Sequence, residues 1–180
     1  MTFVKICGIT NLEDARAAVD AGAEALGFNF YAPSPRYISP TAAREITRHL
    51  PNSILKVGVF VNEELESVLR TVTEAGLSAA QLHGDESPEY CDKLAGLYVI
   101  KAFSAGNDVD LEAYNVEAIM LDTKDDVLRG GTGRVFDWSI AQHAGSSTRK
   151  LFLAGGLSPE NVAAAITTVR PYAVDACSSL

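Results

Sequence analysis

Lys5 and Cys7 stand two residues apart in Val4-Lys5-Ile6-Cys7-Gly8-Ile9-Thr10, an apolar stretch that reads as a buried strand running into a glycine turn. Strand side chains alternate between faces, so Lys5 and Cys7 share one face while Val4 and Ile6 share the other. A thiol works as a base only when it is ionised, and a neighbouring ammonium is one way to lower its pKa. The competing reading is packing, with Cys7 as a small buried hydrophobe and Lys5 extending its stem to the strand end. On position alone, packing is the better reading. What reverses it is the company further along the chain: Arg36, His83, Asp122, the pair Gly155-Gly156, Asp175 and the pair Ser178-Ser179 each end or follow an apolar stretch.

Those stretches form a regular series. After the first strand, Asn11 is a suitable N-cap for a helix to Ala21 that stops at Gly22. Ala25 to Phe30 is a second strand, and Tyr31-Ala32-Pro33-Ser34-Pro35-Arg36 is too proline-rich to be anything but a loop. Ser39-Pro40 opens a helix to about Leu50. Further strands are expected at Ile54–Val61, Ala79–Leu82, Tyr98–Phe103, Glu117–Leu121, Lys150–Ala154 and Ala173–Ala176. Helices are expected from Glu63 to Ala75, from Ser87-Pro88, weakly at Asp110–Tyr114, near Asp137, and from Ser158-Pro159 to Val169. Eight strands thus alternate with seven helices. Continuous apolar strands suit a parallel sheet covered on both faces, and eight such units in a chain this short suit a closed (β/α)8 barrel of the TIM type. The pattern leaves the eighth helix without residues in this sequence, so a groove between the eighth and first strands is expected. Such a helix would bury on the order of 500 Å² of apolar surface, or roughly 10 kcal/mol before entropy.

With 180 residues, 47% hydrophobic content and a mean hydropathy of +0.08, a single domain spanning residues 1–180 with a sizeable core is expected. No apolar run approaches the about 18 residues of a membrane helix, and the N-terminus reads as a strand and not as a signal peptide. A cytoplasmic protein with no membrane partner is the expectation. Cys7, Cys91 and Cys177 are scattered and lack metal-ligand spacing, so neither a disulfide framework nor a metal is expected. The net charge of −8 comes without a basic stripe, which argues against nucleic acid. An anionic small molecule remains compatible, since helix N-termini and glycine loops supply donors without net charge.

In a (β/α)8 barrel the C-terminal ends of the strands carry the active site, and the polar residues named above gather at that one rim. With KICGIT at 5–10, LGFNF at 26–30, SPRYIS at 34–39, VGVFVN at 57–62, QLHGDE at 81–86, LDT at 121–123, GGTG at 130–133, FDW at 136–138, AGGLSPENV at 154–162 and VDACSS at 174–179, the chain resembles the phosphoribosylanthranilate isomerases. The resemblance departs at the end, where the family continues through a closing helix. It implies an Amadori rearrangement of N-(5′-phosphoribosyl)anthranilate in tryptophan biosynthesis, by general acid/base catalysis and without a cofactor.

The resemblance further implies that Cys7 is the base and Asp122 the acid, the latter needing a raised pKa to hold a proton at neutral pH. Alone, Asp122 reads as readily as a loop-fixing carboxylate. Arg36 is implied as the grip on the anthranilate carboxylate, where a guanidinium fork can bind bidentately. Gly155, Gly156, Ser178 and Ser179 are implied as the phosphate cradle of backbone N–H groups. The Gly130-Gly131-Thr132-Gly133 run lacks a P-loop lysine and reads as a loop over the substrate. His83, Lys5, Asp175 and Cys177 read as supporting residues, and His49 and His143 as surface. A monomer or homodimer acting on a small-molecule substrate is expected. Two alternatives stand beside this: an inactive truncated barrel serving as an interaction module through its open groove, or another phosphate-binding barrel enzyme.

Overall fold

The computed structural model describes residues 1–104, 110–122 and 150–177. Eight parallel strands close into one barrel in chain order: β1 (Phe3–Cys7), β2 (Ala25–Asn29), β3 (Leu55–Phe60), β4 (Ala79–Leu82), β5 (Tyr98–Ser104), β6 (Ala118–Asp122), β7 (Lys150–Ala154) and β8 (Ala173–Ala176). The ring closes where β8 pairs with β1, with Lys5 opposite Asp175 and Ile6 opposite Ala176.

The alternation expected of β1 decides what enters the barrel. Phe3 packs inside with Ala25, Val57, Ala79, Ile100, Met120, Phe152 and Ala173, and Lys5 is fully buried on that same inner face. Val4 and Ile6 belong instead to the outer layer, where strand side chains meet the helices. That layer is closed by α1 (Leu12–Asp20), α2 (Pro40–Thr47), α3 (Leu65–Ala75), α4 (Pro88–Asp92) and α5 (Val162–Val169), with a single 3-10 turn at Leu111–Ala113. Asn11, Ser39 and Ser87 cap α1, α2 and α4 through their side chains, as their types suggest. No helix among the described residues is long and apolar enough to cross a membrane.

The differences from the sequence pattern lie at element ends. α2 stops at Thr47, not Leu50, because His49 and Leu50 donate to carbonyls three residues back and tighten the last turn. α3 begins at Leu65. α5 begins at Val162, not Ser158; before it lies a turn in which Ser158 O accepts from Asn161 N and Val162 N, while the Asn161 side chain accepts from Ser158 N at 2.9 Å and donates to Gly156 O at 2.9 Å. The helix expected near Asp137 and the Gly130–Gly133 run lie outside the described residues. Beside β1, an open cavity of about 480 Å³ runs against α1, lined by Val4, Ile6, Ile9 and Ala18 among others.

Candidate active site

The C-terminal rim of the barrel encloses a cavity of about 520 Å³. Cys7, Arg36, Asp122, Gly155 and Gly156 all line it, together with His83, Gln81, Asn29, Asp175 and Cys177. With Val59 and Val61 of β3 and its loop, residues from seven strands or their following loops therefore converge on one space. Ser178 and Ser179 lie outside the described residues.

On the β1–β8 side, Lys5 Nζ donates to Asp175 Oδ1 at 2.8 Å in a buried ion pair. Burial works against the Lys5 charge, yet Asp175 and the Cys7 sulfur outweigh it and hold the ammonium above its ordinary range. Burial pushes Asp175 up as well, against the pull of Lys5. Wherever their proton rests, the pair as a whole is neutral. The Cys177 thiol beside it, together with burial, pushes the Cys7 thiol well above its usual value while Lys5 pulls it down. The same neighbour brings Cys177 down to about 6, against its own burial and with help from Arg36. Lys5 thus acts in the expected direction on Cys7, but its charge is largely taken up by Asp175, and the acidified thiol is Cys177.

Asp122 is the last residue of β6, pointing inward with 8% of its surface exposed. Its Oδ2 lies 3.2 Å from His83 Nε2. Gln81, one inward position earlier on β4, donates from Nε2 to His83 Nδ1 at 2.9 Å, which leaves the ring proton on Nε2 facing the carboxylate. Asp122 Oδ1 is buried and has no hydrogen-bond partner among the described residues, and the same holds for Gln81 Oε1. Buried oxygens left open on a cavity wall are unusual in a finished core and suit a site that a ligand completes.

Arg36 sits in the loop after β2. Asn29 organises that loop: its Oδ1 accepts from Tyr31 N at 2.9 Å and its Nδ2 donates to Ser34 Oγ, which in turn accepts from Arg36 N at 3.2 Å. The Arg36 stem crosses directly over Gly8, where φ is +84° and a Cβ would overlap Arg36 Cδ. Only glycine satisfies both conditions there. The guanidinium forms no ion pair among the described residues. Across the cavity, Gly155 and Gly156 take φ of +90° and +60°, a left-handed turn pinned from behind by Asn161.

The structure brings together Cys7, Arg36, Asp122, Gly155 and Gly156 as the sequence led one to expect, and it places His83 against Asp122 and Cys177 on the same cavity wall as Cys7. Gln81, Asn29 and Asn161 escaped the sequence reading. Gln81 carried a signal, being a polar side chain at an inward position of an otherwise apolar strand; the two asparagines looked like ordinary loop formers.

The family profile described as "N-(5'phosphoribosyl)anthranilate (PRA) isomerase" matches residues 4–180. The chain is 50% identical over 184 aligned positions to the N-(5'-phosphoribosyl)anthranilate isomerase of Thermotoga neapolitana, covering 100% of this chain and 89% of the relative. The crystal structure of phosphoribosyl anthranilate isomerase from Thermotoga maritima superposes with a TM-score of 0.88 at 49% identity, over 98% of this chain and 88% of that one. A crystal structure of the isomerase in complex with reduced 1-(o-carboxyphenylamino)-1-deoxyribulose 5-phosphate superposes with a TM-score of 0.85 at 46% identity, over 99% and 88%. A closed eight-stranded barrel, a rim that joins thiol, carboxyl, guanidinium and glycine turn, and this degree of likeness agree: the chain belongs to the phosphoribosylanthranilate isomerase family.

Proposed function

We propose that the rim cavity catalyses the Amadori rearrangement of N-(5′-phosphoribosyl)anthranilate to 1-(2-carboxyphenylamino)-1-deoxyribulose 5-phosphate, a step of tryptophan biosynthesis, with Asp122 as acid and Cys7 as base. Asp122 protonates the furanose ring oxygen from Oδ1, the oxygen left without a partner among the described residues. The C1–O bond breaks as the nitrogen lone pair forms the imine, and the His83 Nε2–H steadies the carboxylate that remains. Cys7 then removes the C2 proton to give the enolamine, and a proton added at C1 with loss of one from the C2 hydroxyl gives the ketone. Proton transfers alone balance the reaction.

Arg36 grips the anthranilate carboxylate, and the Gly155-Gly156 turn, with Ser178 and Ser179, receives the phosphate. A substrate carrying both a phosphate and a carboxylate does not cross membranes unaided, so the enzyme works in the compartment where that substrate is made, which we take to be the cytoplasm. The single observation that carries these roles is the geometry of the rim. A thiol on β1 and a carboxyl on β6, three strands apart around the ring, face one cavity with an unpaired guanidinium (among the described residues) on its wall.

Turnover is followed by the loss of anthranilate-type fluorescence from freshly made substrate. Cys7→Ala and Asp122→Asn are each expected to lower kcat by about 10²–10⁴-fold with the fold intact. Turnover like that of the unchanged protein in either variant removes that residue from the mechanism.

A further inference from the structure

Cys177 has no part in the scheme above, yet it is placed where a base would need help. β1 and β8 run in register with Lys5 opposite Asp175 and Ile6 opposite Ala176; Cys7, the last residue of β1, and Cys177, the first residue past β8, follow that last paired rung. Neighbouring strands lie about 4.8 Å apart. Lys5 and Asp175 both face inward, and two residues further along the chain from each, Cys7 and Cys177 both line the cavity. The two thiols share that corner of the cavity, near enough for each to act on the acidity of the other. Gly8 leaves room for this: a Cβ there would lie 3.1 Å from Cys177 Sγ and 3.2 Å from Arg36 Nε, so sulfur and guanidinium share the space above its backbone.

The surrounding charges explain why one thiol would not suffice. Lys5 and Asp175 cancel each other. Asp122 and His83 stand across the cavity, Asp14 of α1 lines the outer groove, and Arg36 is committed to the substrate's carboxylate. A lone Cys7 thiolate would be a poorly compensated anion in a buried place, and such an anion is stabilised most directly by a hydrogen bond to its charged form.

We propose that Cys177 is the proton-sharing partner of Cys7, the two sulfurs holding one proton between them, so that the base is a thiol–thiolate pair and not Cys7 alone. In the resting pair Cys7 S–H donates to the Cys177 thiolate. When Cys7 Sγ takes the C2 proton of the substrate, its own proton passes to Cys177 Sγ. The pair goes from one proton to two and from a charge of −1 to 0, and returning one proton resets it. This deepens the reading of Cys7 as base and rests on it. The direction found for each thiol agrees, with Cys177 lowered to about 6 and Cys7 raised.

The test is titration of thiolate absorbance near 240 nm in the substrate-free protein, Cys177→Ala, Cys177→Ser and Cys7→Ala, alongside the pH dependence of kcat/KM. The unchanged protein is expected to show one thiolate appearing near pH 6. That transition is expected to leave the region of pH 6 in both Cys177→Ala and Cys7→Ala, because neither sulfur keeps its S–H donor: the surviving Cys7 titrates at or above the ordinary about 8.5, and the surviving Cys177, which keeps Arg36, moves up toward it. In Cys177→Ala the acid limb of kcat/KM moves up with it, lowering the rate at pH 7 by about 30-fold or more and recovering toward pH 9. Cys177→Ser keeps the size of the side chain and a donor, so its limb falls between the two; a merely structural Cys177 would leave all these midpoints in place. An unchanged midpoint in either alanine variant, or no thiolate below about pH 8 in the unchanged protein, overturns the proposal. Activity retained by Cys7→Ala would sink the base assignment instead, a separate result read from turnover and not from absorbance.

Discussion

Two buried lysine–carboxylate pairs sit within the same barrel and do opposite things. Lys101 on β5 faces outward, 1% exposed, and its Nζ donates to Glu86 at 3.0 Å, Gly84 O at 2.7 Å, Ala102 O at 3.0 Å and, more weakly, Leu82 O at 3.4 Å. Glu86 in turn accepts from Asn62 N at 2.8 Å and from Gly84 N. Every donor of that ammonium is used, and the knot ties the loops after β3 and β4 to the sheet. Lys5 faces inward and donates to Asp175, beside two thiols and a cavity whose walls keep Asp122 Oδ1 and Gln81 Oε1 open among the described residues. Burial of charge is common to both. What separates a fastening from a reactive site is whether the polar groups around the charge are already saturated.

The sharpest way to break this comparison is Lys101→Met. Removing one partner strands Glu86 in the interior, and a cost of about 3–5 kcal/mol in unfolding free energy is expected from denaturant titration. The folded fraction should keep its kcat, because Lys101 does not line the cavity. A kcat collapse comparable to that of Cys7→Ala, with stability unmoved, would mean the outer pair belongs to the chemistry after all. Arg36→Ala comes next and acts on the other side of the comparison. Losing a charge-assisted grip on a carboxylate is expected to cost about 2–4 kcal/mol of binding, read mainly as a rise in KM of roughly 30- to 700-fold. An unchanged KM would place the anthranilate carboxylate elsewhere on the rim.

Most of the fold was legible because each strand is an unbroken apolar run bounded by glycine, proline or a capping residue. Asn11, Ser39 and Ser87 did what their types suggest. The helix expected from Ser158 starts at Val162, after a turn that the Asn161 side chain ties to Gly156 O, and such side chain–backbone bonding is invisible to periodicity. The site was legible only as a list. Period-two alternation put Lys5 and Cys7 on one face, but the meeting of Cys7 with Cys177, 170 residues later, depends on the register with which β8 closes on β1. His83 was set aside as support for a similar reason. Its contact with Asp122 spans the barrel between β4 and β6, and its tautomer is decided by Gln81. Long-range register and tautomer are properties of the closed ring, not of any one segment.

The opposite end of the barrel supplies the mildest test. There Lys150, exposed at the start of β7, lies with Nζ 5.3 Å from the Tyr98 ring centroid and 4.8 Å from that of Tyr172. Tyr172 stacks on Phe3 at 5.6 Å, and Phe3 meets Phe152 edge to face at 6.2 Å, so the floor is plugged by aromatic rings. A solvent-exposed cation over two rings contributes about 1 kcal/mol. Lys150→Met keeps the stem that covers the rings and removes only the charge. For a chain of this size that amount corresponds to a Tm lower by about 2–4 °C, with kcat and KM unchanged, since no residue of the floor reaches the cavity. An altered kcat without a change in Tm would show that the two ends communicate, and the separation between a saturated floor and an open rim would then fail.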